Sequence, residues 1–437
     1  MIPNGPLTLE PLARPPELSW QVPGSKSITN RALILAALAS GQTELEGVLT
    51  SDDTEHMQRC LSALGVEFIA TGPAGLTVRG GFERLRASAT DLFVGNSGTT
   101  VRFLTALAAL VPGETRLVGD ENMARRPILD LVEGLRQLGV VVDCPTGCPP
   151  LIVRGGAFEG KRVGMRGDRS SQYFSALLMA LAASTDSVEV EVLGSLVSRP
   201  YVDVTRAMVK TFGGQIDETA TGYVVHPASY RGQRYNIEPD ASSASYPFAL
   251  AAASGGKITV PGLGQDALQG DYAFLKVLEA TGAVVERRVG STSVTSKGSL
   301  RGLHVDMHDI SDTVMTLAAI APTLSGPTTI VNVANIRIKE TDRLLATVTE
   351  LQRLGQKVEH GADWLTIEPQ PIRPATIHCY EDHRIAMSFA ILGLVRSGIS
   401  IADPACVSKT YPTFWDDIAR AYRAQNQAVP WKENAGA

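Results

Sequence analysis

A repeat of about 71 residues runs the length of the chain. Six segments open on a small polar cluster and continue as a small-residue apolar stretch. They are SKSITNRALILAALA, NSGTTVRFLTALAAL, SSQYFSALLMALAA, SSASYPFALAAA, SDTVMTLAAIAPTL and DHRIAMSFAILGLV. With Ser27, Ser97, Ser170, Ser242, Ser311 and Asp382 as anchors, the separations are 70, 73, 72, 69 and 71 residues. A second helical stretch follows each, and five of these end at Gly65, Gly139, Gly213, Gly282 and Gly355, in steps of 74, 74, 69 and 73. Self-similarity at so steady a period is the mark of a repeat architecture. Ser, Asn and Asp ahead of an apolar run read as helix N-caps.

Between the paired helices lie β-rich runs: TELEGVLT, TRLVGDE, SVEVEVLGS, KITVPGLG, TTIVNVANI and ISIADPACV. Further strands follow the glycines, at VEFIA, VVVDC, QIDE, AVVERR and KVEH. Each unit is helix, strand, helix, strand, with an additional strand to close it, which is an α/β pattern. Six units in 437 residues suggest two domains of three, divided near residue 240 at IEPDASSAS. The N-terminal strand, LTLEPLA, is expected to pair with the second domain.

Composition narrows the function. Apolar residues make up 44% and charged residues 19%, as a large packed core requires. The net charge of −5 argues against a general nucleic-acid binder. No apolar run is long enough to span a bilayer. MIPNGPLTLEPLARPPELSW has no basic segment followed by an apolar core, so no signal peptide is expected. Five scattered cysteines suit a reduced, cytoplasmic protein. Cys144 and Cys148 could supply half a zinc site, but no second pair has suitable spacing, and no metal is expected.

Basic residues nonetheless recur at the repeat junctions: Lys26 and Arg31, Arg102, Arg125 and Arg126, Arg169, Lys339 and Arg343, Arg384, Lys409. An acidic chain that gathers its cations beside helix N-termini suits a small acidic ligand. Familiar motifs do not account for them. PGSKS lacks the full phosphate-loop spacing, and Gly262-Leu263-Gly264 with Ala267 lacks a βαβ continuation. HCYEDH does not match a zinc-protease helix, and no G-x-S-x-G elbow is present.

Taken in order, PGSKSITNRALILAALASG, GNSGTTVRF, GDRSSQYFSALLMALA, LVSRPYVDVT, DASSASY, IRIKETDRL, EDHRIAMSF and SKTYPTF resemble the 5-enolpyruvylshikimate-3-phosphate (EPSP) synthase family from Leu7 to about Ala424. The resemblance implies an inverse α/β barrel fold of six βαβαββ units, three per domain. The first domain would span 23–240, and the second 1–22 with 241–437, the active site lying in the cleft between them. It implies transfer of the enolpyruvyl group of phosphoenolpyruvate to the 5-hydroxyl of shikimate 3-phosphate, with phosphate leaving. No metal or organic cofactor is needed. A monomer acting on these two small molecules, with no nucleic-acid or membrane partner, is expected.

By the same resemblance, Lys26, Ser27, Arg31, Ser170, Ser171, Gln172, Ser198, Tyr201, Asp312, Asn335 and Lys339 would hold shikimate 3-phosphate. Lys26, Asn96, Gly98, Thr99, Arg126, Gln172, Arg343, Arg384 and Lys409 would hold phosphoenolpyruvate. Each substrate carries a phosphate and a carboxylate, so several cations are needed to offset mutual repulsion. Asp312 is assigned the hydroxyl proton and Glu340 the proton at the methyl carbon. Lys26 would stabilise developing charge and protonate the leaving phosphate. His383 is either a further catalytic group or a structural histidine between Asp382 and Arg384.

The phosphoenolpyruvate loop departs from the common GNAGT followed by Arg-Pro. It reads Asn96-Ser97-Gly98-Thr99, with Arg102-Phe103. Gly98 is kept, so a glyphosate-sensitive enzyme is expected. The sister enolpyruvyl transferases that act on UDP-N-acetylglucosamine carry a Cys in the loop before the position of Arg126. The segment GDENMAR has none. A non-catalytic anion-binding repeat protein would need the cations but not Asp312 and Glu340.

Overall fold

The computed structural model describes residues 5–296 and 298–431. The chain forms two compact units, one of residues 24–237 and one of residues 1–23 with 238–437. Glu238, Pro239 and Asp240 therefore belong with the helix that Asp240 caps.

Among the described residues the repeat yields twelve α-helices in six pairs. In the unit of residues 24–237 the pairs are α1 (Lys26–Leu38) with α2 (Asp52–Ala63), α3 (Gly98–Ala108) with α4 (Leu129–Gln137), and α5 (Ser171–Leu181) with α6 (Pro200–Thr211). In the other unit they are α7 (Ala241–Ser254) with α8 (Phe274–Thr281), α9 (Val314–Ile320) with α10 (Arg343–Arg353), and α11 (His383–Gly393) with α12 (Phe414–Arg423).

The two helices of a pair differ in kind. α3, α9 and α11 are buried along their whole length, and α1, α5 and α7 nearly so. Their small residues let neighbours approach closely, and apolar character all round is what an interior helix requires. The second helices bury one face only. α4, for example, buries Leu131, Val132, Gly134 and Leu135.

The strands run in small sheets with one wet face. In the second repeat the order across the sheet is Leu92–Phe93, Gly113–Val118, Leu151–Gly155, Val141–Asp143. The first pair is parallel, bridged by α3, and the others are antiparallel. A parallel pair needs such a crossover. The third and fifth repeats have the same order. The first repeat takes its leading strand, Arg234–Asn236, from the far end of its unit, parallel to Gln42–Glu46. The fourth takes Glu17–Ser19, parallel to Lys257–Pro261. In the sixth, Leu7–Leu9 pairs antiparallel with Ile399–Ile401.

The glycine marker has a backbone cause. Gly65, Gly139, Gly213, Gly282 and Gly355 follow the second helices with φ of 106°, 87°, 95°, 110° and 84°. That left-handed turn suits a residue without Cβ and sends the chain back into the next strand. The polar anchors divide differently. Ser97, Ser170 and Asp382 are N-caps whose side chains accept from the first turn. Ser27 and Ser242 are not caps. They lie inside the first turns of α1 and α7, where Ser25 and Asp240 accept instead. Ser311 opens a 3-10 turn, Ser311–Thr313, ahead of α9. In the first and fourth repeats the cap thus stands two residues before the apparent anchor.

Candidate active site

In the unit of residues 24–237, the expected ligands cluster where α1, α3, α5 and α6 begin. Arg31, one turn into α1, is buried. Its Nε donates to Thr205 Oγ1 at 2.7 Å and its Nη1 to the Ser27 carbonyl at 2.8 Å. Its Nη2 donates to Ser175 Oγ and the Tyr201 carbonyl, both at 3.0 Å. None of these four acceptors is charged. The guanidinium also stands 5.3 Å from the Phe103 ring centroid and 6.0 Å from that of Tyr201. Burial pulls its pKa down to about 10, still well above neutrality. Phe103, the departure from Arg-Pro, therefore forms an aromatic wall for Arg31.

Lys26 opens α1, with Nζ 3.2 Å from Asp53 Oδ2. The Asp53 carbonyl accepts from Thr100 Oγ1 at 3.2 Å, which ties the start of α2 to that of α3. Gln172 donates to Thr99 Oγ1 at 3.1 Å and accepts from Arg102. Arg126 follows the 3-10 turn Met123–Arg125 and donates to the carbonyl and side-chain oxygens of Asn96 at 3.0 and 3.2 Å. Gly98 lies beneath it. A Cβ there would stand 2.4 Å from Arg126 Nη2 and 3.0 Å from Arg102 Nη1. Ser170 and Ser171 sit at the start of α5. Ser198, just before α6, holds φ at 51°, a strained value for a residue with Cβ, and its carbonyl accepts from Tyr201 N at 3.1 Å.

In the other unit the expected residues form one ion-paired set. Asp312, in the turn before α9, accepts from Arg384 at 2.8 Å and Arg343 at 3.1 Å, with Lys339 Nζ at 3.9 Å. Arg343 also donates to Glu340 at 2.7 Å and to both oxygens of Asp382 at 2.7 and 3.3 Å. Three cations are thus linked to three carboxylates. Burial works to raise the pKa of Asp312, but Arg384, Lys339 and Arg343 outweigh it and hold the group well below the usual range. Arg343 is held fully charged by the same carboxylates, against its burial. Asn335 donates to Ser311 Oγ at 3.0 Å. His383 is buried at the first residue of α11, with Nδ1 3.8 Å from Asp382 Oδ1. Lys409 ends the 3-10 turn Pro404–Lys409, which packs on α11.

Some members escaped the sequence reading. Asp53 and Asp382 bind the cations directly, yet one looks like a helix-start carboxylate and the other like a plain cap. Asp271 is buried in the 3-10 turn Gly270–Ala273, where the Ser242 hydroxyl donates to it. Burial, then the charge of Asp312, push it up to about 6, against the pull of Arg384 and Ser242. Its only sequence signal is the polar Ser242 opposite, far along the chain. Among the described residues no group of three or more His, Cys, Asp or Glu side chains is placed to hold a metal. No described helix is long and apolar enough to cross a membrane.

Comparison with known proteins identifies the family. Residues 17–418 match the family model for EPSP synthase (3-phosphoshikimate 1-carboxyvinyltransferase). The 3-phosphoshikimate 1-carboxyvinyltransferase of Nostoc sp. is 43% identical over 415 residues, covering 94% of this chain and 97% of that protein. The enzyme of the same name from Klebsiella pneumoniae is 42% identical over 422 residues, covering 95% and 98%. The structure of EPSP synthase from Acinetobacter baumannii superposes with a TM-score of 0.81 at 25% identity, covering 96% of this chain and 98% of that one. Over nearly its whole length, then, the chain belongs to the EPSP synthase family.

Proposed function

We infer that this chain transfers the enolpyruvyl group of phosphoenolpyruvate to the 5-hydroxyl of shikimate 3-phosphate in the shikimate pathway, releasing phosphate. The observation that carries the reading is Asp312, a carboxylate kept ionised among Arg343, Arg384 and Lys339 in a chain of this family. The reaction proceeds by addition and elimination. The 5-oxygen bonds to C2 of phosphoenolpyruvate while C3 gains a proton. In the second half C2 loses phosphate and C3 gives the proton back, restoring the double bond.

Asp312 accepts the hydroxyl proton and Glu340 serves the methyl carbon, with His383 as a lesser proton carrier. An aspartate gripped by three cations is a weak base. Substrate anions correct this. As phosphate and carboxylate groups draw Arg343, Arg384 and Lys339 to themselves, the cations release Asp312 and its basicity rises. Binding thereby switches on the base. Lys26 offsets charge on the departing phosphate.

Shikimate 3-phosphate is held by Lys26, Ser27, Arg31, Ser170, Ser171, Gln172, Ser198, Tyr201, Asn335 and Lys339. Phosphoenolpyruvate is held by Lys26, Asn96, Gly98, Thr99, Arg126, Gln172, Arg343, Arg384 and Lys409. Each unit, in this account an inverse α/β barrel, contributes part of both sets. The enzyme works as a cytoplasmic monomer without metal or organic cofactor. Glyphosate, itself an anionic phosphonate and carboxylate, competes for the phosphoenolpyruvate cations.

The test is Asp312→Asn. Turnover should fall about 10²- to 10⁴-fold, the usual contribution of a general base. Calorimetry should show shikimate 3-phosphate still binding. Turnover like that of the parent chain would refute the assignment.

A further inference from the structure

We propose that Glu350 is a positioning residue for phosphoenolpyruvate: from inside α10 it holds the loop of residues 378–382 in the course that brings Asp382 to Arg343 and seats Arg384. The effect on the substrate rests on the function proposed above, whereas the grip on the loop does not.

α10 holds this loop at two points. At its start, Arg343 donates to both carboxylate oxygens of Asp382, at 2.7 and 3.3 Å. Seven residues on, two turns away on the same face, stands Glu350. Its Oε1 accepts from the Tyr380 hydroxyl at 2.7 Å, and its Oε2 accepts from the His378 amide at 3.1 Å. The two grips are about 10 Å apart along the helix axis. The loop between them runs straight into α11. Asp382 accepts from Arg384 N at 2.9 Å, and the Arg384 guanidinium donates to Asp312 at 2.8 Å.

The loop needs such a grip. Tyr380 and Glu381 hold φ of 55° and 54°. Two consecutive left-handed residues with side chains are strained, and such strain persists only where the surroundings over-determine it. The backbone contributes a bond from Asp382 N to the Cys379 carbonyl at 2.8 Å. Tyr380 is 39% exposed, so burial alone does not fix its ring, and the bond to Glu350 does.

Stability does not account for Glu350. Its side chain is fully buried, while its charged partner, with Arg353 Nε at 3.1 Å, is 41% exposed. A buried ion pair of this kind is weak support for a fold, because an apolar side chain of similar volume often packs there at less cost. What the carboxylate supplies is a pair of acceptors for one loop. Once released, that loop relaxes toward ordinary backbone angles, and Asp382 and Arg384 move with it. A shift of about 1 Å at a substrate-positioning group can cost about 10²-fold in rate.

The experiment compares the full parent chain with Glu350→Leu, Tyr380→Phe and Glu350→Gln. Leucine keeps most of the volume and loses both acceptors. Glutamine keeps the reach, since its oxygen can accept from the His378 amide and its nitrogen can donate to the Tyr380 oxygen. Amide hydrogen exchange without substrates, read by mass over residues 378–386, should quicken in Glu350→Leu and to a lesser degree in Tyr380→Phe. At saturating shikimate 3-phosphate, KM for phosphoenolpyruvate should rise at least about fivefold in Glu350→Leu, the low end of site-to-site coupling. Most residues assigned to shikimate 3-phosphate lie in the unit of residues 24–237, so its affinity by calorimetry should stay at the parent value. Glu350→Gln should restore the parent KM. Parent-like exchange in Glu350→Leu and Tyr380→Phe would overturn the grip, and Tyr380→Phe decides alone if Glu350→Leu does not fold. Faster exchange with unchanged KM would overturn the effect on phosphoenolpyruvate, as would equal weakening of both substrates, the mark of general destabilisation. A Glu350→Gln chain as impaired as Glu350→Leu would overturn the two-acceptor geometry. Failure of the parent chain to turn over would instead count against the transferase, because the exchange is read without substrate.

Discussion

Arg31 is a buried guanidinium whose four acceptors are all neutral oxygens. None of these oxygens offsets its charge, which under the proposed function is balanced by the substrate anion, and its planar fork is fixed in advance. Arg31→Lys keeps the charge and loses the fork, so shikimate 3-phosphate affinity should fall at least about tenfold by calorimetry. Unchanged affinity would remove Arg31 from the ligand set. Gly98→Ala acts through a neighbour. The new methyl group meets the Arg126 guanidinium at its flexible end, so the fold should survive while the cation moves. Steady-state kinetics should show KM for phosphoenolpyruvate rising about tenfold, about 1.4 kcal/mol of lost binding, and inhibition by glyphosate disappearing. Gly98 was legible because it sits in a motif. Its contact with Arg126 was not, since nothing in a sequence brings residues 98 and 126 together in space. Asp53 and Asp271 were missed for the same reason, each meeting its partner across a separation that no local pattern records.

At the scale of elements, the helix–strand alternation could be read directly, because apolar periodicity and terminal glycines are local signals. The caps were read less well. In α1 and α7 several small polar residues compete for the cap, and only the backbone geometry selects Ser25 and Asp240. Gly213 offers a clean test of the glycine marker. A Cβ there meets nothing closer than 3.7 Å, so Gly213→Ala costs only backbone strain at φ 95°. A loss of about 1 kcal/mol in denaturant unfolding is expected. The turn that carries Asp271 makes a pH-dependent contribution. Its folded pKa of about 6 lies above the ordinary 3.8, so between these values the folded chain keeps a proton that the unfolded chain has lost. The stability it contributes is full below pH 3.8 and is lost as pH rises through about 6. Asp271→Asn should therefore show a smaller drop in Tm between about pH 4 and about pH 7 than the parent chain. An unchanged drop would contradict this environment. Asp312, held low, runs the other way. Its contribution is present above pH 3.8 and is lost as pH falls below it.

For the whole molecule, six repeats resolve into two units, each with its own apolar core. The period was visible in the sequence, but the way each unit completes its sheets was not. Arg234–Asn236 and Glu17–Ser19 are three-residue strands, too short to show alternation, yet they supply the leading strands of the first and fourth repeats. Lys26, Arg31 and Arg126 lie in one unit, and Asp312, Glu340, Arg343 and Arg384 in the other. Under the proposed function, neither unit carries both the serines assigned to the acceptor and the carboxylates assigned to proton transfer, so turnover should require the full chain. The decisive measurement is phosphate release from phosphoenolpyruvate, with shikimate 3-phosphate and UDP-N-acetylglucosamine as parallel acceptors, in the parent chain and in Lys26→Ala. Release with shikimate 3-phosphate alone, abolished in Lys26→Ala, is the predicted result. Release with the sugar nucleotide alone, or with neither acceptor despite tight binding of both shikimate 3-phosphate and phosphoenolpyruvate, would contradict the account.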